Sequence, residues 1–73
     1  MEYEIIATAE EKEGFKKVAR AKICMKGFTL LTFAKNAGYS PKTVYGFFKK
    51  GGWSRFFAAH LAEVLKIREE EWR

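Results

Sequence analysis

The stretch TLLTFAKNAGYSPKTVYGFFK, Thr29 to Lys49, reads as two short helices separated by a tight turn. Thr29 has the side chain of an N-cap, and Leu30, Phe33, Ala34 and Ala37 then recur at helical spacing. Gly38 stops that helix, because only glycine enters the left-handed region without steric cost. Ser40 followed by Pro41 reads as a second cap with a first-turn proline, whose missing N–H is harmless there. Val44, Phe47 and Phe48 make the inner side of the second helix. Its other side must face outward, and it carries Ser40, Lys42, Thr43, Tyr45, Gly46 and Lys49.

This pattern satisfies the requirements of a helix-turn-helix. A small residue, Ala34, stands where the two helices touch. Gly38 follows four positions later in the turn, and Val44 locks the second helix six positions further on. Hydrogen-bonding and cationic groups around a small glycine are the composition expected of a helix seated in the major groove of DNA.

Turn signals divide the rest of the chain in the same way. Thr8 with Glu11 has capping-box spacing, so a helix is expected from about Ala9, with Phe15, Val18, Ala19, Lys22 and Ile23 at helical intervals and Gly27 at its end. Gly51 and Gly52 break the helix that begins at Pro41. A further helix is expected from about Ser54 to Leu65, with Phe57, Leu61, Val64 and Leu65 inward, and Ile67 to Trp72 as a short closing turn. Phe47, Phe48, Phe56 and Phe57 are assigned to the core, and Cys24 to a buried or half-buried place. Trp53 abuts either the core or a DNA backbone, and Trp72 is a lid on the core or a dimer contact. His60, among apolar neighbours, is given a structural role. Residues 1–8 are read as an N-terminal arm and residues 9–73 as one all-α domain. In the arm Tyr3, Ile5 and Ala7 alternate as in a strand, but Ile6 breaks the alternation. A disordered or loosely docked arm therefore ranks ahead of a strand at a dimer interface.

Charge is segregated along the chain. Ten cations (Lys16, Lys17, Arg20, Lys22, Lys26, Lys35, Lys42, Lys49, Lys50 and Arg55) lie in a window from Gly14 to Ala62 that holds no acid, and all nine Glu lie outside it. With a net charge of +5, this asymmetry points to a polyanion, either nucleic acid or an anionic membrane. The cations are spread over several short helices, which disfavours a membrane-surface peptide. At 73 residues the chain is one small domain, and seven Phe, three Tyr and two Trp supply the area that closes its core. One Cys allows no internal disulfide, and no apolar run spans a bilayer, so a reduced, cytoplasmic setting is expected. One His, one Cys and no Asp make no metal cluster. No nucleophile–base arrangement, carboxylate pair or phosphate loop appears. No enzymatic activity, cofactor or small-molecule substrate is expected.

The run KGFTLLTFAKNAGYSPKTVYGFFKK, Lys26 to Lys50, resembles the helix-turn-helix of lambda-repressor-like, Cro-type regulators. The continuation WSRFFAAHLAEVLKIREEEW, Trp53 to Trp72, is similar to the end of that domain. Within the family the chain resembles the short Ner-like phage regulators, over roughly Gly14 to Trp72. The resemblance implies a compact domain of four to five helices acting as a transcriptional repressor, a homodimer on a palindromic double-stranded operator. It places base-reading roles on Ser40, Pro41, Lys42, Thr43, Tyr45, Gly46 and Lys49, and phosphate contacts on Thr29, Lys35, Lys50 and Arg55. Two positions depart from the family pattern: Leu30 stands where a Gln commonly braces a phosphate, and Gly46 where a longer side chain often reads a base. The alternatives are a protein-interaction module on the same scaffold and an excisionase-like architectural factor that bends DNA.

Overall fold

The computed structural model describes residues 8–73. The expectation for the N-terminal arm falls on residues 1–7, outside them, while Thr8 is the cap of the first helix. That helix, α1, runs Ala9–Met25. Its start is a reciprocal box: the Glu11 amide donates to Thr8 Oγ1 at 3.2 Å, and the Thr8 amide donates to Glu11 Oε1 at 2.9 Å. Glu10 and Glu11 also place negative charge at the positive end of the helix dipole. The helix ends in a Schellman motif. Gly27 takes φ +84°, its amide bonds the Cys24 carbonyl, and the Phe28 amide bonds the Ile23 carbonyl.

Three shorter helices follow: α2 over Leu30–Ala37, α3 over Pro41–Phe48 and α4 over Arg55–Val64. Each begins at a Ser or Thr whose side-chain oxygen accepts an amide three residues on: Thr29 from Thr32, Ser40 from Thr43, and Ser54 from Phe57. A 3-10 turn at Glu69–Glu71 closes the chain. The described residues thus form an all-α domain, as their spacing implies.

The core joins all four helices. Phe15, Ala19 and Ile23 of α1 meet Phe33 and Ala34 of α2, Val44, Phe47 and Phe48 of α3, and Phe57, Ala58, Leu61 and Ala62 of α4. Phe47 sits at its centre, with ring centroids of Phe48, Trp53 and Phe57 at 5.1, 5.2 and 4.9 Å. Trp53 and Trp72 both make T-shaped contacts with the Phe15 ring, so both are parts of the core wall. The closing turn lies along α1: Glu71 pairs with Lys22 at 3.0 Å and Arg73 with Glu11 at 3.7 Å.

Three assignments made from spacing do not hold. Phe56 is 70% exposed and Val64 42% exposed. The buried side of α4 is centred on Ala58, Leu61 and Leu65, which rotates Phe56 to the far side and Val64 to the flank. Ala58 and Ala62 lie on this buried side with Leu61 and Leu65. Cys24 is exposed, since the buried line of α1 passes through Phe15, Ala19 and Ile23 and leaves the next residue outside. Conversely Lys16, one of the ten cations of the acid-free window, is only 3% exposed.

Candidate nucleic-acid interface

The geometry of α3 follows from its two sides. Val44, Phe47 and Phe48 are buried and anchor it. Lys42, Thr43, Tyr45 and Lys49 are exposed, Tyr45 at 49%. At 3.6 residues per turn, Lys42, Thr43 and Lys49 lie around Gly46 on the side opposite Val44, with Tyr45 at its edge. Ser40 is exposed and Pro41 half-buried at the start of this helix. Their hydroxyl neighbours are committed locally: Ser40 Oγ lies 2.9 Å from Thr43 Oγ1 and also accepts the Thr43 amide.

The approach to α3 is fixed at Gly38, which adopts φ +82°. The amides of Gly38 and Tyr39 both bond the Ala34 carbonyl, so α2 ends cleanly and the chain turns into α3 within three residues. Tyr39 braces the turn. Its ring stands edge-on to Phe57 at 4.7 Å and its hydroxyl bonds His60 Nδ1 on α4. Burial pushes that hydroxyl above its usual pKa. His60 is therefore part of the scaffold, a role that spacing suggested without its partner.

The far end of α3 is clamped. The Lys49 carbonyl accepts the Lys16 ammonium at 3.0 Å and the Gly52 amide at 2.9 Å. Lys16 also bonds Glu13 at 3.0 Å. Gly52 is required sterically: a Cβ there would stand 2.0 Å from the Gly46 carbonyl oxygen and 2.9 Å from that of Phe47. Nothing local in the sequence announces the Lys16 contact, which spans 33 positions. The helical wheel alone puts Lys16 on the side of Ala19 and Ile23.

Electrostatics separate this region from the chain's ends. The first turns of α2, α3 and α4 contain no acid, whereas that of α1 has two. Lys42 and Arg55 even place cations in the first turns of α3 and α4, against the helix dipole. Of the ten cations in the acid-free window, Lys16 is buried and Lys22 pairs with Glu71. The other eight are all exposed.

The residues assigned to phosphate contact occupy other segments. Thr29 is the cap of α2, with its oxygen and amide engaged by Thr32. Lys35 is in the last turn of α2, Lys50 in the loop after α3, and Arg55 opens α4 with its guanidinium 5.6 Å from the Phe56 ring centre. All four are exposed. Among the described residues no group of His, Cys, Asp or Glu is placed to hold a metal ion, and no helix is long and apolar enough to cross a membrane. Comparison of the chain with protein families, curated proteins and solved structures finds no match in any of them.

Proposed function

We propose that the chain is a sequence-specific double-stranded DNA-binding regulator that presents the outer side of α3 to the major groove. The observation that carries this reading is the placement of Lys42, Tyr45, Gly46 and Lys49 on the exposed side of a helix whose other side is locked by Val44, Phe47 and Phe48. Three acid-free helix N-termini and eight exposed cations supply the attraction to phosphates, which dominates affinity in such interfaces. The α2–turn–α3 pair acts as the helix-turn-helix, with Lys42 and Lys49 reading bases or phosphates and Thr29, Lys35, Lys50 and Arg55 positioning the backbone. A single domain of this size covers a short site, so the chain acts as a homodimer on a two-fold operator. Repression is the regulatory outcome the family resemblance favours.

The test is fluorescence anisotropy of labelled random-sequence duplex at rising salt, followed by selection of preferred sequences from the pool. Binding that weakens linearly in log–log salt, and a symmetric consensus, are expected. No binding at low salt would remove the reading.

A second reading rests on Phe56 and Val64, large apolar side chains that α4 leaves exposed. An exposed Phe favours a protein partner, and on that reading the domain is an interaction module. It moves ahead if duplex is not bound.

A further inference from the structure

Between the end of α1 and the start of α2 lies an open groove of about 500 Å³. Its wall is mainly apolar. The buried Ile23 and the half-buried Phe28 and Leu30 line it, and the exposed Ala21 and Cys24 border it on α1. Sites for small molecules have this size and this kind of wall, with a few polar groups that fix the ligand.

The local polar groups are mostly committed to the fold. The Ile23 and Cys24 carbonyls accept the Phe28 and Gly27 amides that close α1. The Thr29 hydroxyl and amide are engaged by Thr32. Among the described residues that line the groove, Arg20 alone is charged. It is exposed, and among the described residues it has no hydrogen-bond or ion-pair partner. Lys16 and Lys22 of the same helix, by contrast, pair with Glu13 and Glu71. A guanidinium stays charged and offers a planar fork that matches a carboxylate.

We infer that this groove binds a small carboxylate with an apolar body. The carboxylate pairs with Arg20, and the body covers Ile23, Phe28 and Leu30. Both halves are needed. An ion pair in contact with water is weak by itself, and burial of the body supplies the rest. The site uses no residue of α3, so it goes beyond the duplex reading and stands or falls separately from it.

Cys24 is the chain's one cysteine and stands one turn from Arg20, so its thiol reports on the groove. The full chain is alkylated with N-ethylmaleimide in the presence of 1-naphthylacetate, or of 1-naphthylacetamide, which has the same body without the charge. The acid slows alkylation about fivefold or more at saturation, with half-protection at about 0.1–1 mM, the affinity that a ligand of this size reaches. The amide needs about fivefold higher concentration, and so does the acid with Arg20→Gln, each chain measured against its own unliganded rate. Arg20→Gln changes an exposed side chain, and an unchanged melting curve shows that its fold is intact. No protection tenfold above that range, equal protection by acid and amide, or an unchanged response of Arg20→Gln overturns the site. Duplex binding, measured separately by anisotropy, is untouched by any of these outcomes.

Discussion

The Lys16 ammonium donates to the main-chain carbonyl of Lys49 at 3.0 Å, so the first helix holds the end of the third. Lys16 is itself almost fully buried, and Glu13 balances its charge from a half-exposed position. It fixes the point at which α3 stops, and with it the direction in which Tyr45 and Lys49 leave the surface. The Gly52 amide shares the same acceptor, so the carbonyl is held from two segments at once.

Lys16→Met keeps the aliphatic stem and removes the donor. Hydrogen bonds to charged groups are worth about 1.5–3 kcal/mol, part of which is returned when a charge no longer has to be buried. A net loss of about 1–2 kcal/mol is expected in urea unfolding, with an unchanged slope. Equal or higher stability of Lys16→Met would show that the clamp contributes nothing to the fold.

Lys66 is the one non-glycine described residue with positive φ, at +55°. It occupies the left-handed place that ends α4, where the Ile67 amide bonds the Ala62 carbonyl. An L-residue there costs roughly 1–2 kcal/mol, which glycine removes while losing some chain entropy on folding. Lys66→Gly should therefore raise stability by about 0.5–1 kcal/mol. Thermal unfolding measures it, and a fall in melting temperature would contradict the strain argument.

The carboxylates that accept the cap amides at the starts of α1 and the closing turn make folding sensitive to acid. The Thr8 amide, first of all, holds the Glu11 carboxyl below the ordinary value of 4.5. The Arg68 amide does the same for Glu71, with Lys22 adding to it. A carboxyl with a lowered folded-state pKa binds its proton less tightly when folded. Its contribution is thus present above the ordinary carboxylate range and is lost as pH falls through and below it. Glu11→Gln can still accept the Thr8 amide but cannot titrate, so its stability should fall less steeply than that of the wild type below about pH 4.5. Parallel acid-unfolding curves for the two chains would exclude this contribution.

The helix starts were legible because capping is local. Thr8 with Glu11, Thr29, Ser40 with Pro41, and Ser54 each act within three residues, and each heads a helix. The inner side of α3 was equally plain from Val44, Phe47 and Phe48. What the order of residues does not carry is the rotation of a helix once packed. Phe56 and Val64 lie outward because the buried side of α4 is centred on Ala58, Leu61 and Leu65, and Cys24 lies outside because that of α1 runs through Phe15, Ala19 and Ile23. The two contacts that hold the α3 region in place, Lys16 to Lys49 and Tyr39 to His60, cross 33 and 21 positions. No periodicity marks partners so far apart. The terminator at Lys66 was hidden too, because the chain uses a lysine where glycine is the usual signal.

Lys42 and Lys50 carry the same charge but stand differently, and the proposed interface makes them behave differently. Lys42 lies in the first turn of α3 beside Gly46's side of the helix, while Lys50 is in the loop beyond its end. A base-reading Lys42 loses specific contacts when truncated. Lys42→Ala should weaken binding to the selected duplex by about 1–3 kcal/mol and relax sequence choice, with random duplex affected far less. Lys50→Ala removes a phosphate contact, so it should weaken specific and random duplex alike and lower the log–log salt slope by about one. Anisotropy titrations on both duplexes at several salt concentrations separate the two patterns. If both variants lose the same affinity on both duplexes, Lys42 is another phosphate contact, and any base reading by α3 must come from Tyr45, Gly46 and Lys49 instead.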